Sequence, residues 1–178
     1  MAQLIVFTGL PGVGKSAIAE AVGREFGIPV FSKNWLEATL LRCGLMPGTQ
    51  AGRDLGYACY ELLTTLAGRQ LDLGQSVILD SDVSRKRVRN QWRELAESHR
   101  MTWQVVEVVC SSETTHQSRL AARNRDAAGR GELTWKDVEA VRSRYEPWGD
   151  QERLILDTVE PLKQNIQAAL KYLKPPRA

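Results

Sequence analysis

An α/β fold, with a five-stranded parallel sheet between two layers of helices, is what this sequence predicts, and three observations predict it. The apolar run Leu4-Ile5-Val6-Phe7 leads into a glycine-rich stretch, Gly9-Leu10-Pro11-Gly12-Val13-Gly14-Lys15-Ser16, which opens a helical pattern. Strand and helix patterns alternate along the whole chain, which calls for right-handed crossovers and parallel pairing. Unbroken apolar runs, such as Leu4 to Phe7 and Val77 to Leu79, read as strands covered by helices on both faces.

The elements follow in order. The first helix runs from about Lys15 to Phe26, with Ile18, Val22 and Phe26 on one face. Gly27 ends it and Pro29 prevents its return. Val30-Phe31 is a short second strand, and a helix from about Asn34 to Cys43 closes at Gly44. Met46 to Thr49 form a loop before a long helix, about Ala51 to Leu71, whose buried side is marked by Leu55, Cys59, Leu62, Leu63 and Leu66. Strand 3 is Val77 to Asp80, and the next helix spans about Ser84 to His99 with Val88, Trp92 and Leu95 inward. Strand 4 is Trp103 to Val109, then a helix covers about Glu113 to Arg123. Beyond a polar segment, Asn124 to Leu133, Thr134 suits the N-cap of a helix reaching Tyr145. Strand 5 is Leu154 to Asp157, and Pro161 suits the first turn of a last helix ending near Leu173. One domain over 1–178 is expected, with a loose tail from 174. Ligands of such sheets bind at the carboxyl ends of the strands, so the loops after Phe7, Phe31, Asp80, Val109 and Asp157 should converge on one mouth.

The chain has 178 residues, 24 Lys+Arg against 21 Asp+Glu, and a net charge of +3. That balance does not demand a nucleic-acid partner. Cys43, Cys59 and Cys110 are odd in number without a C-x-x-C pair, and read as buried, reduced thiols of a cytoplasmic protein. No apolar run approaches membrane-spanning length, and the first residues enter a strand with no leader pattern, so no membrane partner is expected. His99 and His116 lie far apart with no ligand-spaced neighbour, which argues against a histidine metal site or a histidine-based triad. Most of the five tryptophans suit packing, with Trp35 and Trp148 as candidate contacts to substrate or adenine.

The stretch from Gly9 to Ser16 has the pattern G-x-x-x-x-G-K-[ST], a phosphate-binding loop. Gly9, Gly12 and Gly14 let the backbone turn its N–H groups onto a polyphosphate. The helix that follows adds the positive end of its dipole, where the N–H groups from Lys15 to Ala17 face the same anion. Lys15 brings a mobile charge to the β and γ phosphates, and the Ser16 hydroxyl suits Mg²⁺. Pro11 and Val13 complete the cradle.

Further pieces sit in a telling order: Ser32-Lys33-Asn34 after strand 2, Leu79-Asp80 ending strand 3, Arg119 to Arg123 before the polar segment, and Tyr145-Glu146-Pro147-Trp148. With the loop, they make the sequence similar to the small P-loop kinases. The branch it resembles holds ATP-binding kinases, chloramphenicol phosphotransferase, zeta-toxin-like kinases and the kinase domain of polynucleotide kinases. The resemblance covers nearly the whole chain. It implies a three-layer P-loop NTPase fold with a short lid, about 124–133. It also implies ATP and Mg²⁺ as cofactors, and Asp80 as a carboxylate of the metal shell beside Ser16.

Asn34 departs from the branch, which commonly carries an aspartate there as the base for the acceptor hydroxyl. An amide cannot take that proton. Three accounts fit: Asp82, at the same mouth, is the base; Asn34 only orients the acceptor, since phosphoryl transfer rests mainly on positioning and electrostatics; or the protein binds and hydrolyses ATP with little transfer. Asn34 equally suits an N-cap. Arg123, with Arg119, Arg125 and Arg130 around the polar segment, suits a lid closing guanidinium groups over a triphosphate. Arg85, Lys86, Arg87, Arg89 and Arg93 begin a helix, where cations are unfavourable unless an anion faces them. They suit either an anionic acceptor or a solvated face, with Arg85, Arg89 and Arg93 in one row.

The expected activity is transfer of the ATP γ-phosphate to a hydroxyl of a small molecule or a nucleic-acid end. Lys15, Asp80, Arg123 and Asp82 would be catalytic, and Asn34, Arg42, Arg53 and Arg85 would hold the acceptor. The rival is an ATP-binding or ATP-hydrolysing regulatory protein. Either suits a monomer or a homodimer. A GTPase would carry a guanine-reading N-K-x-D segment, and an oligomeric motor ATPase an Asp-Glu pair where this chain has Asp80-Ser81.

Overall fold

A computed structural model of the chain describes residues 2–45, 55–125, 133–149 and 151–174, with the backbone alone at 123–125. Five strands form one parallel sheet: β1 (Gln3–Thr8), β2 (Val30–Ser32), β3 (Val77–Asp80), β4 (Thr102–Val109) and β5 (Leu154–Asp157), in the order β2-β3-β1-β4-β5. The described helices are α1 (Lys15–Phe26), α2 (Lys33–Arg42), α3 (Leu55–Asp72), α4 (Lys86–Ser98), α5 (Glu113–Arg125), α6 (Trp135–Ser143) and α7 (Leu162–Leu173).

Strand alternation splits the core into two layers. Leu4 and Val6 of β1 face α3 and α4, packing with Leu63, Ala67, Val88 and Trp92. Ile5 and Phe7 face α1 and α7, packing with Ile18, Val22, Ala169 and Leu173. All four β1 residues are fully buried, as a central strand with both faces covered requires. Trp92 fills the first layer and donates its indole N–H to Thr64 Oγ1 at 2.8 Å, so its polar atom is satisfied inside the core.

The strand ends meet where expected. Ser81 N–H donates to Phe7 O at 3.1 Å, Thr158 N–H to Val109 O at 2.9 Å, and Ser111 N–H to Asp157 Oδ1 at 3.1 Å. The connection leaving β1 runs to β2 on one side of the sheet and the one leaving β3 runs to β4 on the other, so a crevice opens between the carboxyl ends of β1 and β3.

Several local expectations are corrected. Leu62 is 39% exposed, because the buried stripe of α3 runs Leu55, Cys59, Leu63, Ala67 and Leu71, with Tyr60 beside it, and Leu62 falls on the far flank. α6 stops at Ser143, two residues short, where Tyr145 turns toward the sheet, its hydroxyl donating to Glu107 of β4 and accepting from the Trp148 indole. Its start is as read: Thr134 and Asp137 form a reciprocal capping box. Pro161 takes the N-cap position of α7 and not its first turn. Ser32, not Asn34, occupies the N-cap position of α2. Cys43 is exposed past the end of α2 and Cys110 is half-buried, leaving Cys59 as the buried thiol; all three are free. The segment read as a lid, apart from the backbone of its first two residues and from Leu133, and the tail from 175 lie outside the described residues.

Candidate active site

The phosphate loop is built by sterics. Gly9 has φ 136°, and a Cβ there would sit 2.0 Å from Val108 O of β4. Gly12 has φ 82° with Leu120 and His116 behind it, and Gly14, φ 101°, occupies the N-cap of α1 without any side-chain cap. Val13 pins the loop into the core at 1% exposure, while Gly14 and Ala17 are exposed. The first turn of α1 therefore offers its backbone N–H groups and dipole to an anion. Lys15 is buried and donates to Leu10 O at 3.0 Å, bridging its own loop.

Beside it lies a carboxylate corner. Ser16 Oγ donates to Asp80 Oδ2 at 2.6 Å, and Ser32 Oγ donates to the same oxygen at 3.0 Å. Asp80 is 1% exposed, and its Oδ1 is buried without a hydrogen-bond partner. Register explains the meeting, since Ser32 and Phe7 both lie opposite Asp80. An orphaned carboxylate oxygen next to a serine hydroxyl, at the mouth of an anion cradle, is the all-oxygen donor set that Mg²⁺ prefers. The residues thus fit that ion.

Two residues on, Asp82 forms a second anionic point. Its Oδ1 accepts the Tyr60 hydroxyl at 2.8 Å and lies 3.7 Å from Lys33 Nζ, which also meets Glu37 at 3.4 Å. Burial opposes the charge of Asp82, but Lys33, the Tyr60 hydroxyl and Lys15 outweigh it and hold the carboxyl below its ordinary range. Burial likewise works against the Lys33 ammonium, while Asp82 and Glu37 keep it above its usual value. Burial first, then the Asp82 carboxylate, push the Tyr60 phenol well up, so it stays a donor. Asn34 is exposed in the first turn of α2, next to Lys33.

The remaining candidates scatter. Arg85 is exposed at the N-cap position of α4. Arg42 lies at the far end of α2, bonded to Thr39 Oγ1 at 2.9 Å. Arg53 and Arg130 lie outside the described residues, as do the side chains of Arg123 and Arg125. Arg119 turns its guanidinium onto Thr158, 2.6 Å from Oγ1, and Thr158 in turn packs 3.6 Å from where a Gly14 Cβ would be. It thereby ties the loop after β5 to the phosphate cradle.

The row Arg85, Arg89, Arg93 is not one solvated face. Arg89 is 5% exposed, stacks 4.0 Å over Trp148, and donates to the carbonyls of Val83 (2.9 Å), Pro147 (3.0 Å) and Ser84 (3.3 Å). It braces Val83, a buried β-branched residue with φ 26°, directly after Asp82. An anion does face this cationic helix start: the Glu146 carboxylate accepts the Lys86 N–H.

Four side chains take roles at the site that the sequence reading did not assign them. Tyr145 OH lies 3.2 Å from Thr8 Oγ1, which donates to Asp82 O at 2.9 Å, so the mouth is braced from behind. Arg153 Nε holds Glu107 at 2.6 Å. Arg144 lies close enough to lower the pKa of Tyr60 against the effects of burial and Asp82. His116 Nε2 bonds Pro11 O at 2.7 Å. None carries a spacing signal, because each partner lies dozens of residues away.

A family model described as AAA domain (AAA_33) matches residues 4–148. Uncharacterized proteins of Mycobacterium tuberculosis and Mycobacterium bovis are 29% identical over 175 residues, 94% of this chain and 34% of theirs, so the chain spans about a third of the length of these curated relatives. Among solved structures, a candidate kinase of Chloroflexus aurantiacus superposes with a TM-score of 0.76 at 22% identity, covering 97% of this chain and 96% of that one. Kti12 of Chaetomium thermophilum, in complex with ADP-AlF3, gives 0.72 at 22%, covering 98% and 100%. The Mycobacterium tuberculosis APS kinase CysC, in complex with AMPPNP and APS, gives 0.66 at 20%, covering 97% and 98%. At such identities the likeness to these structures is one of fold. The family match is of another order, running from β1 through the phosphate loop and the Asp80 corner to Trp148, and by it the chain belongs to the AAA_33 family of P-loop kinase-like domains.

Proposed function

We propose that this protein transfers the γ-phosphate of ATP to a hydroxyl of a small molecule or a nucleic-acid end. The observation that carries the reading is the Ser16–Asp80–Ser32 corner, with its orphaned Asp80 oxygen, set beside a cradle of backbone donors. The loop amides and Lys15 bind and orient the triphosphate, Arg119 braces the cradle through Thr158, and Arg123 adds a guanidinium from α5. Ser16 and Asp80 would hold Mg²⁺, which when bound neutralises charge on the phosphates. Asp82 takes the acceptor proton, with Lys33 and Tyr60 fixing its orientation, and Asn34 and Arg85, at the starts of α2 and α4, hold the acceptor. In a loose transition state the placing of such a carboxylate counts for more than its strength as a base.

A second reading, ATP binding or hydrolysis with little transfer, is favoured by one observation. Asn34 stands exposed at the start of α2 where the branch it resembles commonly has an aspartate. A transfer screen with γ-labelled ATP over nucleosides, oligonucleotides, sugars and aminoglycosides separates the two. Label on one acceptor class supports the kinase; release of free phosphate alone, with every class, supports the second reading.

A further inference from the structure

The phosphate loop is held at its two ends by the sheet and by α1, but its crest is held by a side chain from elsewhere. His116, 1% exposed and one turn into α5, places Nε2 2.7 Å from Pro11 O. A carbonyl only accepts, so Nε2 carries the proton. The ring cannot swing away: it stands edge-on to Trp135 of α6, with centroids 5.1 Å apart, and Trp135 lies under the Arg142 guanidinium at 5.3 Å. A Cβ on Gly12 would meet His116 Nε2 at 3.3 Å and Leu120 Cδ1 at 3.1 Å, so the ring also backs the next residue.

Peptide geometry gives this contact its consequence. Pro11 has no N–H, so the first donor at the crest is the N–H of Gly12. In a trans peptide unit the Pro11 carbonyl and the Gly12 N–H point in opposite directions. Drawing the carbonyl toward α5 therefore turns the Gly12 N–H away from α5, into the loop. Glycine at 12, with φ 82°, has little resistance of its own to the opposite orientation of that peptide unit, which would aim a carbonyl oxygen at the anion. We infer that His116 is a positioning residue of the phosphate cradle: its hydrogen bond to Pro11 O fixes the Pro11–Gly12 peptide in the orientation that binds a polyphosphate. Burial, and the nearby Arg142, Lys15 and Arg119 charges, hold the ring below its usual pKa despite the Pro11 bond, so the neutral ring keeps one N–H, which it donates to Pro11 O.

The inference rests on the reading that the loop binds nucleotide phosphates, and the experiment separates the two. ATP and ADP affinities are measured by calorimetry on the full chain for four forms: the parent, Lys15→Ala, His116→Gln (donor kept) and His116→Phe (ring kept, donor lost). Urea unfolding without nucleotide checks that each is folded. His116→Met, flexible and without a donor, replaces the phenylalanine variant if that one does not fold. The expected result is a loss of about tenfold or more in affinity for His116→Phe, with His116→Gln within about threefold of the parent, the donor being worth a hydrogen bond to a fixed carbonyl. Equal affinities in His116→Phe and the parent, or equal losses in His116→Phe and His116→Gln, overturn the inference. Unchanged ATP affinity in Lys15→Ala overturns instead the nucleotide reading beneath it.

Discussion

At Gly9 one hydrogen atom in place of a methyl lets two strands approach. The position where a Cβ would stand lies 2.0 Å from a backbone oxygen of β4, and φ is 136°. The two nearest atoms both belong to the Val108 backbone, so Gly9→Ala must move the loop or the sheet. A loss of about 3 kcal/mol or more is expected in urea unfolding, a large part of a marginal stability. A loss below about 1 kcal/mol, the scale of an ordinary surface change, would mean the close approach relaxes freely. Asp82 is the other residue on which much turns. Asp82→Asn keeps the Tyr60 contact but cannot accept a proton. If Asp82 is the base, transfer falls by about a hundredfold or more while ATP affinity holds within about threefold. Transfer at the parent rate would remove Asp82 from that role and leave Asn34 and the bound phosphates to orient an acceptor unaided.

Elements show how ends are satisfied across the fold. α4 starts with cations yet is capped by Glu146, a residue 60 positions away, and is anchored by the buried Arg89. Its other end is closed by His99, whose Nδ1 lies 2.8 Å from Leu95 O and whose Nε2 lies 3.1 Å from Asp72 Oδ1 at the end of α3. Both ring nitrogens face acceptors, so the protonated ring is favoured. The Leu95 carbonyl first, then the Asp72 bond, raise its pKa above 6.5. The folded ring is thus the more basic one. Its contribution to stability is fully present below the unfolded value of about 6.5 and is lost as pH rises through the raised folded value. Melting curves of the parent and His99→Asn, taken from about pH 5.5 to about pH 8.5, should differ most at the acid end and converge at the alkaline end. A constant gap would show that the ring acts by packing alone.

For the whole molecule, the phosphate cradle and the carboxylate corner belong to different strands, so a ligand spanning both ties β1, β2 and β3 together. ATP at about a hundred times its dissociation constant should add about 2.7 kcal/mol to stability. In a domain of this size that raises the melting temperature by roughly 5–11 °C. The shift should be larger with Mg²⁺ than with EDTA, and Asp80→Asn should make the two shifts alike. Equal shifts with Mg²⁺ and EDTA in the parent would remove the metal from nucleotide binding, and a difference that persists in Asp80→Asn would place the metal elsewhere. The chain spans about a third of the length of its mycobacterial relatives, so these measurements address the P-loop unit itself.

The parallel sheet, the succession of strands and helices along the chain and the phosphate loop were legible in one dimension because they rest on local rules. Period-2 and period-3.6 apolar patterns mark the layers, and the loop needs its glycines, lysine and serine within eight consecutive residues. Asp80 was legible for the same reason, as the polar end of an apolar strand. The partners of these residues were not. Ser32 joins Asp80 through the β2–β3 register, Lys33 and Tyr60 reach Asp82 from separate helices, and Glu146 caps a helix across 60 residues. His116, without a ligand-spaced neighbour, became a prop of the cradle only when α5 folded against it. Spacing along a chain reports contacts one turn or one strand apart; contacts set by how helices dock on a sheet depend on crossover paths and packing, which only the folded chain decides.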